Sequence, residues 1–184
     1  EKLGYVIPYA DSPFDHENVG EEVYFHILNH AKKYVHIMTP YLIIDQSMIT
    51  ALTFAAKRGV DVKLILPHIP DKKFVFALAK SHYKELLKAG VRIYEYTPGF
   101  VHAKIFTSDD EKAVVGTINL DYRSLYLHFE CAAFLYQVEE IAEIEKDFQR
   151  TLEKCQEVTL ENRKKGTFFL RLEGWLLKWL APLM

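Results

Sequence analysis

Between residues 21 and 96 the chain repeats one pattern three times: apolar residues at helical spacing, then a short apolar run of strand length. Val23, Ile27, Leu28 and Ala31 precede YVHIM at 34–38. Ile49, Leu52, Ala55 and Ala56 precede VKLIL at 62–66, and Phe74, Leu78, Ala79, Leu86 and Leu87 precede VRIYEY at 91–96. Asp45 or Ser47 caps the second helix, and Gly59 and Gly90 stop the second and third. Strands joined through helices run parallel in one sheet and need helices against them. The pattern predicts an α/β domain with a mixed, mainly parallel sheet and helices on both faces.

After residue 97 the rhythm changes. Pro98 and Gly99 turn the chain into a strand over about 101–107, and Asp109, Asp110 and Glu111 read as the turn of a hairpin whose second strand is KAVVG at 112–116. FECAAFLY at 129–136 is a further strand. Ile141, Ile144, Phe148, Leu152 and Cys155 then mark a long amphipathic helix, where the sheet is expected to end. At the other terminus, GYVIPYADSP at 4–13 is an extended run entering a sheet edge.

The hairpin carries the chemistry. His102, Lys104 and Asp109 form an H-x-K-x-x-x-x-D frame, followed by Gly116, Thr117 and Asn119 as G-T-x-N. Residues two apart on a strand share a face, so one imidazole and one ammonium converge. An imidazole can attack phosphorus or carry a proton, and a neighbouring cation can hold phosphoryl oxygens as charge develops. Thr117 and Asn119 can add neutral hydrogen bonds. The set suits phosphodiester chemistry and calls for no metal, nucleotide or other cofactor.

These residues resemble the HKD motif of the phospholipase D superfamily. TPYLIID at 39–45, GVDVKLILP at 59–67, AGVRIYEYTPGFVHAKIF at 89–106 and GTINLDYRSLYLHFE at 116–130 resemble the C-terminal half of bacterial cardiolipin synthases, over nearly the whole chain. The resemblance implies a phospholipase D-like single repeat at 1–158, one of two that build a pseudo-symmetric site. It implies a phosphohistidine intermediate, with one motif histidine attacking phosphorus and its counterpart protonating the leaving group; by analogy His102 takes the acid and base role. Glu130 matches the downstream carboxylate that accepts a hydrogen bond from the motif histidine and fixes its tautomer. Asp109, although a letter of the motif, stands seven residues from His102 and reads as structural, pinning the turn or pairing with a base. Threonine replaces the commoner serine at 117 and keeps the hydroxyl.

Other candidates are weaker. Tyr41 follows the first strand, where open α/β sheets bind ligands, and is a wall candidate, as are Tyr122 and Tyr126. Arg123 either pairs internally with Asp121 or shapes a headgroup pocket, and His128 shares a face with Glu130. His26 and His30 stand four apart without the glutamate of a metalloprotease box. Cys131 and Cys155 read as reduced thiols in apolar stretches. A formal charge of -2, from 23 basic and 25 acidic residues, lacks the footprint of a general nucleic-acid binder.

Residues 159–184 read as a basic linker and an amphipathic helix. Phe168, Leu172, Trp175, Leu176, Trp179, Leu180 and Leu183 share one side, behind Arg163, Lys164 and Lys165, the pattern of a helix lying in an anionic membrane interface or docked on the domain. The start at Glu1 reads as a piece of a longer protein. The expectation is a phosphatidyltransferase part at the bacterial membrane. It would act on phosphatidylglycerol with an upstream HKD half in cis or a homodimer mate. The alternatives are a single-motif phosphodiesterase or nuclease working as a dimer, and a catalytically inert membrane-binding half.

Overall fold

A computed structural model describes residues 4–164. Its centre is an eight-stranded mixed sheet in the order β1 (Tyr5–Asp11), β9 (Glu130–Tyr136), β7 (Lys112–Gly116), β6 (Ile105–Ser108), β2 (Tyr34–Met38), β4 (Asp61–Pro67), β5 (Arg92–Tyr96) and β10 (Cys155–Val158). The three helix–strand units form as expected: α1 (Val19–His30) leads to β2 (Tyr34–Met38), α2 (Gln46–Lys57) to β4 (Asp61–Pro67), and α3 (Lys73–Ala89) to β5 (Arg92–Tyr96). Asp45 caps α2 by accepting from the Met48 amide at 2.8 Å, and α3 closes on Gly90 in the left-handed region at φ 99°.

The parallel run is β2-β4-β5. The other neighbours are antiparallel: β6 (Ile105–Ser108) on β2 and β7 (Lys112–Gly116), β9 (Glu130–Tyr136) on β7 and β1 (Tyr5–Asp11), and β10 (Cys155–Val158) on β5. The balance is thus more antiparallel than expected, because parallel pairing reaches only as far as the helical crossovers. Nor does the sheet end at the last amphipathic helix, α4 (Glu140–Leu152). Cys155 leaves that helix for β10, whose four residues cover the β5 edge.

Alternation along the strands separates two layers. Val35, Ile37, Val62, Leu64, Ile93, Phe106 and Val114 face α1, α2 and α3, whereas Met38, Ile65, Tyr94 and Ile105 face α4 through Phe148. Each fully buried side chain of this kind contributes about 1.5–3 kcal/mol of apolar transfer, so packing rather than helix propensity holds the helices. Tyr24 of α1 stacks on Phe106 at 3.9 Å and donates its hydroxyl to the Ile118 carbonyl at 2.9 Å. One buried tyrosine thereby fixes the segment that follows β7.

Two features escaped sequence reading. A two-stranded parallel sheet pairs β3 (Leu42–Ile43) with β8 (Leu120–Asp121), and Arg123–Leu127 form a π-helical turn. Of the basic linker and terminal helix expected over 159–184, Leu160–Lys164 form a short helix, α5, and the rest lies outside the described residues. Among those residues no helix is long and apolar enough to cross a membrane.

Candidate active site

The site forms at one end of the sheet, where β2, β4 and β5 finish and β6 begins. Residues 101–104 precede β6 rather than belonging to it, which corrects the expected strand start. They remain side by side: the Lys104 ammonium donates to His102 Nε2 at 3.0 Å and to the His102 carbonyl at 2.7 Å. An ammonium has only donors, so Nε2 accepts here and the ring proton sits on Nδ1. Burial lowers the Lys104 pKa, and the negative charges of Glu130 and Asp121 oppose that shift.

Sheet order brings the remaining groups to the same end. Thr117 follows β7 and Glu130 opens β9, the next strand over. The Thr117 hydroxyl donates to Glu130 Oε2 and accepts from the Cys131 amide at 3.0 Å. Ser124 donates to Glu130 Oε1 at 2.9 Å, and Asn119 Nδ2 donates to Ser124 Oγ at 3.1 Å. Glu130 therefore does not hold His102 in this chain. β7 stands between β9 and β6, and Thr117, just after it, takes the carboxylate. The histidine beside Glu130 is His128, half-exposed, with Nδ1 3.3 Å from Oε1.

Asp109 lies at the far end of β6, 7% exposed, and accepts from the amides of Lys32, Lys33 and Tyr34 at 2.8, 2.8 and 3.0 Å. Burial pushes its pKa up, but these three donors outweigh burial and the net shift is downward. It is separated from His102 and pins the α1–β2 corner to the hairpin turn, where Asp109 and Asp110 both have positive φ. The turn role stands; no close ion pair with a basic side chain forms among the described residues, although the Lys112 charge adds to the downward shift.

Arg123 is exposed and forms no ion pair with Asp121. Asp121 instead accepts from the Ser124 amide at 2.7 Å, and burial raises its pKa. Tyr41 donates to Asp71 at 2.6 Å, and burial and that contact push its hydroxyl to about 12. Its ring lies 6.2 Å from Phe100, which lies 5.8 Å from His102. Tyr122 and Tyr126 pack 5.5 Å apart, with the Tyr126 hydroxyl on Glu21. Sequence reasoning missed Phe100 and Ser124. Position two before His102 was the only signal for Phe100, and the irregular π turn hides Ser124.

A sequence model described as the cardiolipin synthase phospholipase D-like domain matches residues 24–152. The chain belongs to this family. Cardiolipin synthases of Halalkalibacterium halodurans and Geobacillus kaustophilus are 37% and 38% identical to it, over 95% and 100% of this chain but only 35% and 37% of theirs. An uncharacterized protein of Streptococcus mutans is 61% identical over 98% of the chain and 39% of its own length. This phospholipase D-like chain thus spans under two fifths of the relatives it matches. Solved folds agree: the phospholipase D family member Nuc of Salmonella typhimurium superposes at a TM-score of 0.72 over 84% of this chain and 98% of its own, with 15% identity. The phosphatidylserine synthase of Haemophilus influenzae reaches 0.78 over the whole chain and 49% of its own, with 14% identity.

Proposed function

We propose that the chain is one catalytic half of a cardiolipin-forming phosphatidyltransferase, moving a phosphatidyl group from one phosphatidylglycerol to another. The observation that carries the reading is the His102–Lys104 contact on an exposed sheet end, in a chain of this family. When a phosphodiester enters, the Lys104 ammonium moves its donors to the non-bridging oxygens, and His102 Nε2, released, takes up a proton from solvent that it can then give to the leaving group. One imidazole can attack or protonate, but one displacement needs both, so a second HKD half completes the site.

One motif histidine attacks phosphorus and breaks the bond to the headgroup glycerol, which leaves with a proton from the other histidine. The second phosphatidylglycerol then attacks the phosphohistidine through a glycerol hydroxyl. It gives its proton to that other histidine, which we take to be His102, and cardiolipin departs. Thr117 and Ser124 hold Glu130, and Asn119 holds Ser124 in place. Water at the second step would yield phosphatidic acid, so a mouth against anionic lipid favours transfer.

A second reading, two copies of this chain sharing one site as a phosphodiesterase, draws support from Nuc, a whole chain of this fold. Transfer from labelled phosphatidylglycerol in anionic vesicles separates the two. The synthase reading expects cardiolipin only when an upstream half is joined, and none with His102→Ala. Diester cleavage by a dimer of this chain alone would replace it.

A further inference from the structure

A second oriented histidine stands at the same end of the sheet. His68 follows β4, and its Nδ1 lies 2.8 Å from Oε2 of Glu95, a β5 carboxylate only 5% exposed. Tyr83 of α3 donates to the other oxygen at 3.2 Å, and Lys80 Nζ lies 3.5 Å from it. A carboxylate oxygen accepts, so the His68 proton facing it sits on Nδ1, and Nε2 is left for another partner on this half-exposed side chain. A half-exposed loop histidine needs no buried anion to stay in place. A buried carboxylate behind it fixes the ring's tautomer and orientation.

The strand order places this dyad near the HKD residues: β4, which His68 follows, lies two places from β6, which Lys104 precedes, about 10 Å across the sheet at about 4.8 Å per strand. Pro67, next to His68, Tyr83, bonded to Glu95, and Phe100, 5.8 Å from His102, line one small hollow with Tyr41 and Lys72. Cardiolipin carries two phosphodiesters joined by one glycerol. When one phosphorus reacts at the HKD residues, the other must lie a glycerol's length away. We propose that His68, oriented by Glu95, binds the non-reacting phosphodiester of the acceptor phosphatidylglycerol. The assignment rests on the transfer reading above. His68 in its charged form donates through Nε2 to a phosphoryl oxygen, and Lys72 and Lys80 supply positive charge against Asp71 and Glu95. No bond is made or broken at His68; it positions the incoming hydroxyl.

Two measurements test this. In this chain, the imidazole NMR signal that His68→Gln removes is followed during titration with glycerophosphoglycerol and, separately, with glycerol. It shifts with the diester alone if the site is as described; no shift, or equal shifts, overturns the assignment. In the protein carrying both halves, His68→Ala lowers the ratio of cardiolipin to phosphatidic acid by about tenfold and raises the acceptor KM by a similar factor. Glu95→Gln moves both the same way by a smaller factor, and His68→Gln partly restores them. An unchanged ratio sinks the proposal. Absence of cardiolipin from the unsubstituted protein would instead count against the transfer reading, while the NMR titration would still decide the diester site.

Discussion

The two ends of β6 carry letters of the same motif and do opposite work. At its start, His102 is exposed and Lys104 half-buried, and each spends part of its hydrogen-bonding capacity on the other, keeping the rest for a substrate. At its finish, Asp109 is buried and fully committed to three backbone amides. One short strand links a reactive pair to a structural pin. The motif is a pair plus a fastener in space, as the seven-residue separation of His102 and Asp109 led one to expect.

The largest effect should come from the reactive end. His102→Ala is expected to cut phosphodiester turnover in the completed enzyme by at least about 10⁴-fold. It should change unfolding free energy by less than about 0.5 kcal/mol, because the ring is exposed. A large loss of stability with modest loss of activity would reverse the assignment of the two ends.

Next comes the cation. Lys104→Met should cost about 10²–10³-fold, the scale of losing one donor to a charged transition state. Burial has moved its pKa down, so the ammonium loses its proton at a lower pH than an exposed lysine, and activity should fall as pH rises through that value. Lys104→Arg should push this alkaline limb upward. A limb that stays put in the Arg variant would mean another group titrates there.

How far the sequence led follows the same division. The helix–strand units and the hairpin turn were legible because each rests on local periodicity and capping; His102 meets Lys104 as expected, but through the irregular lead into β6 rather than strand alternation. The neighbours of Glu130 were not. They depend on which strand lies between β6 and β9, and on a π turn that puts Ser124 beneath Asn119 without a periodic signature. The absent Arg123–Asp121 pair fails for the same reason, since the turn spends Asp121 on an amide. β10 was unreadable for another: its CQEV sequence is polar at the centre and gains its place by closing the β5 edge.

The pin gives an intermediate effect of a different kind. Asp109→Asn should lower stability by about 2 kcal/mol, since charge-assisted bonds to three amides weaken together, while turnover per folded molecule stays within a few-fold. The sign with pH is fixed by the depressed folded-state pKa. The contribution is fully present above the unfolded value of 3.8 and is lost as pH falls through the lower folded value. Denaturant midpoints of the two proteins should therefore converge in acid; a constant gap down to pH 2 would show that shape, not charge, fastens the turn.

The smallest effect tests whether the hydroxyl of Thr117 belongs to the reactive end or to its support. That oxygen donates to Glu130 and accepts from the Cys131 amide, so Thr117→Ser keeps both bonds and removes one methyl group. Activity within about twofold of the parent and stability within about 0.5 kcal/mol are expected for it. Thr117→Val keeps the shape and removes both bonds, leaving Glu130, whose side chain is 8% exposed, to Ser124 and His128. It should cost about 1–2 kcal/mol and lower turnover roughly tenfold through a displaced carboxylate facing Lys104. If serine and valine fall equally, the methyl packing beside β9 matters and the hydroxyl does not, and Glu130 is then held by the π turn alone.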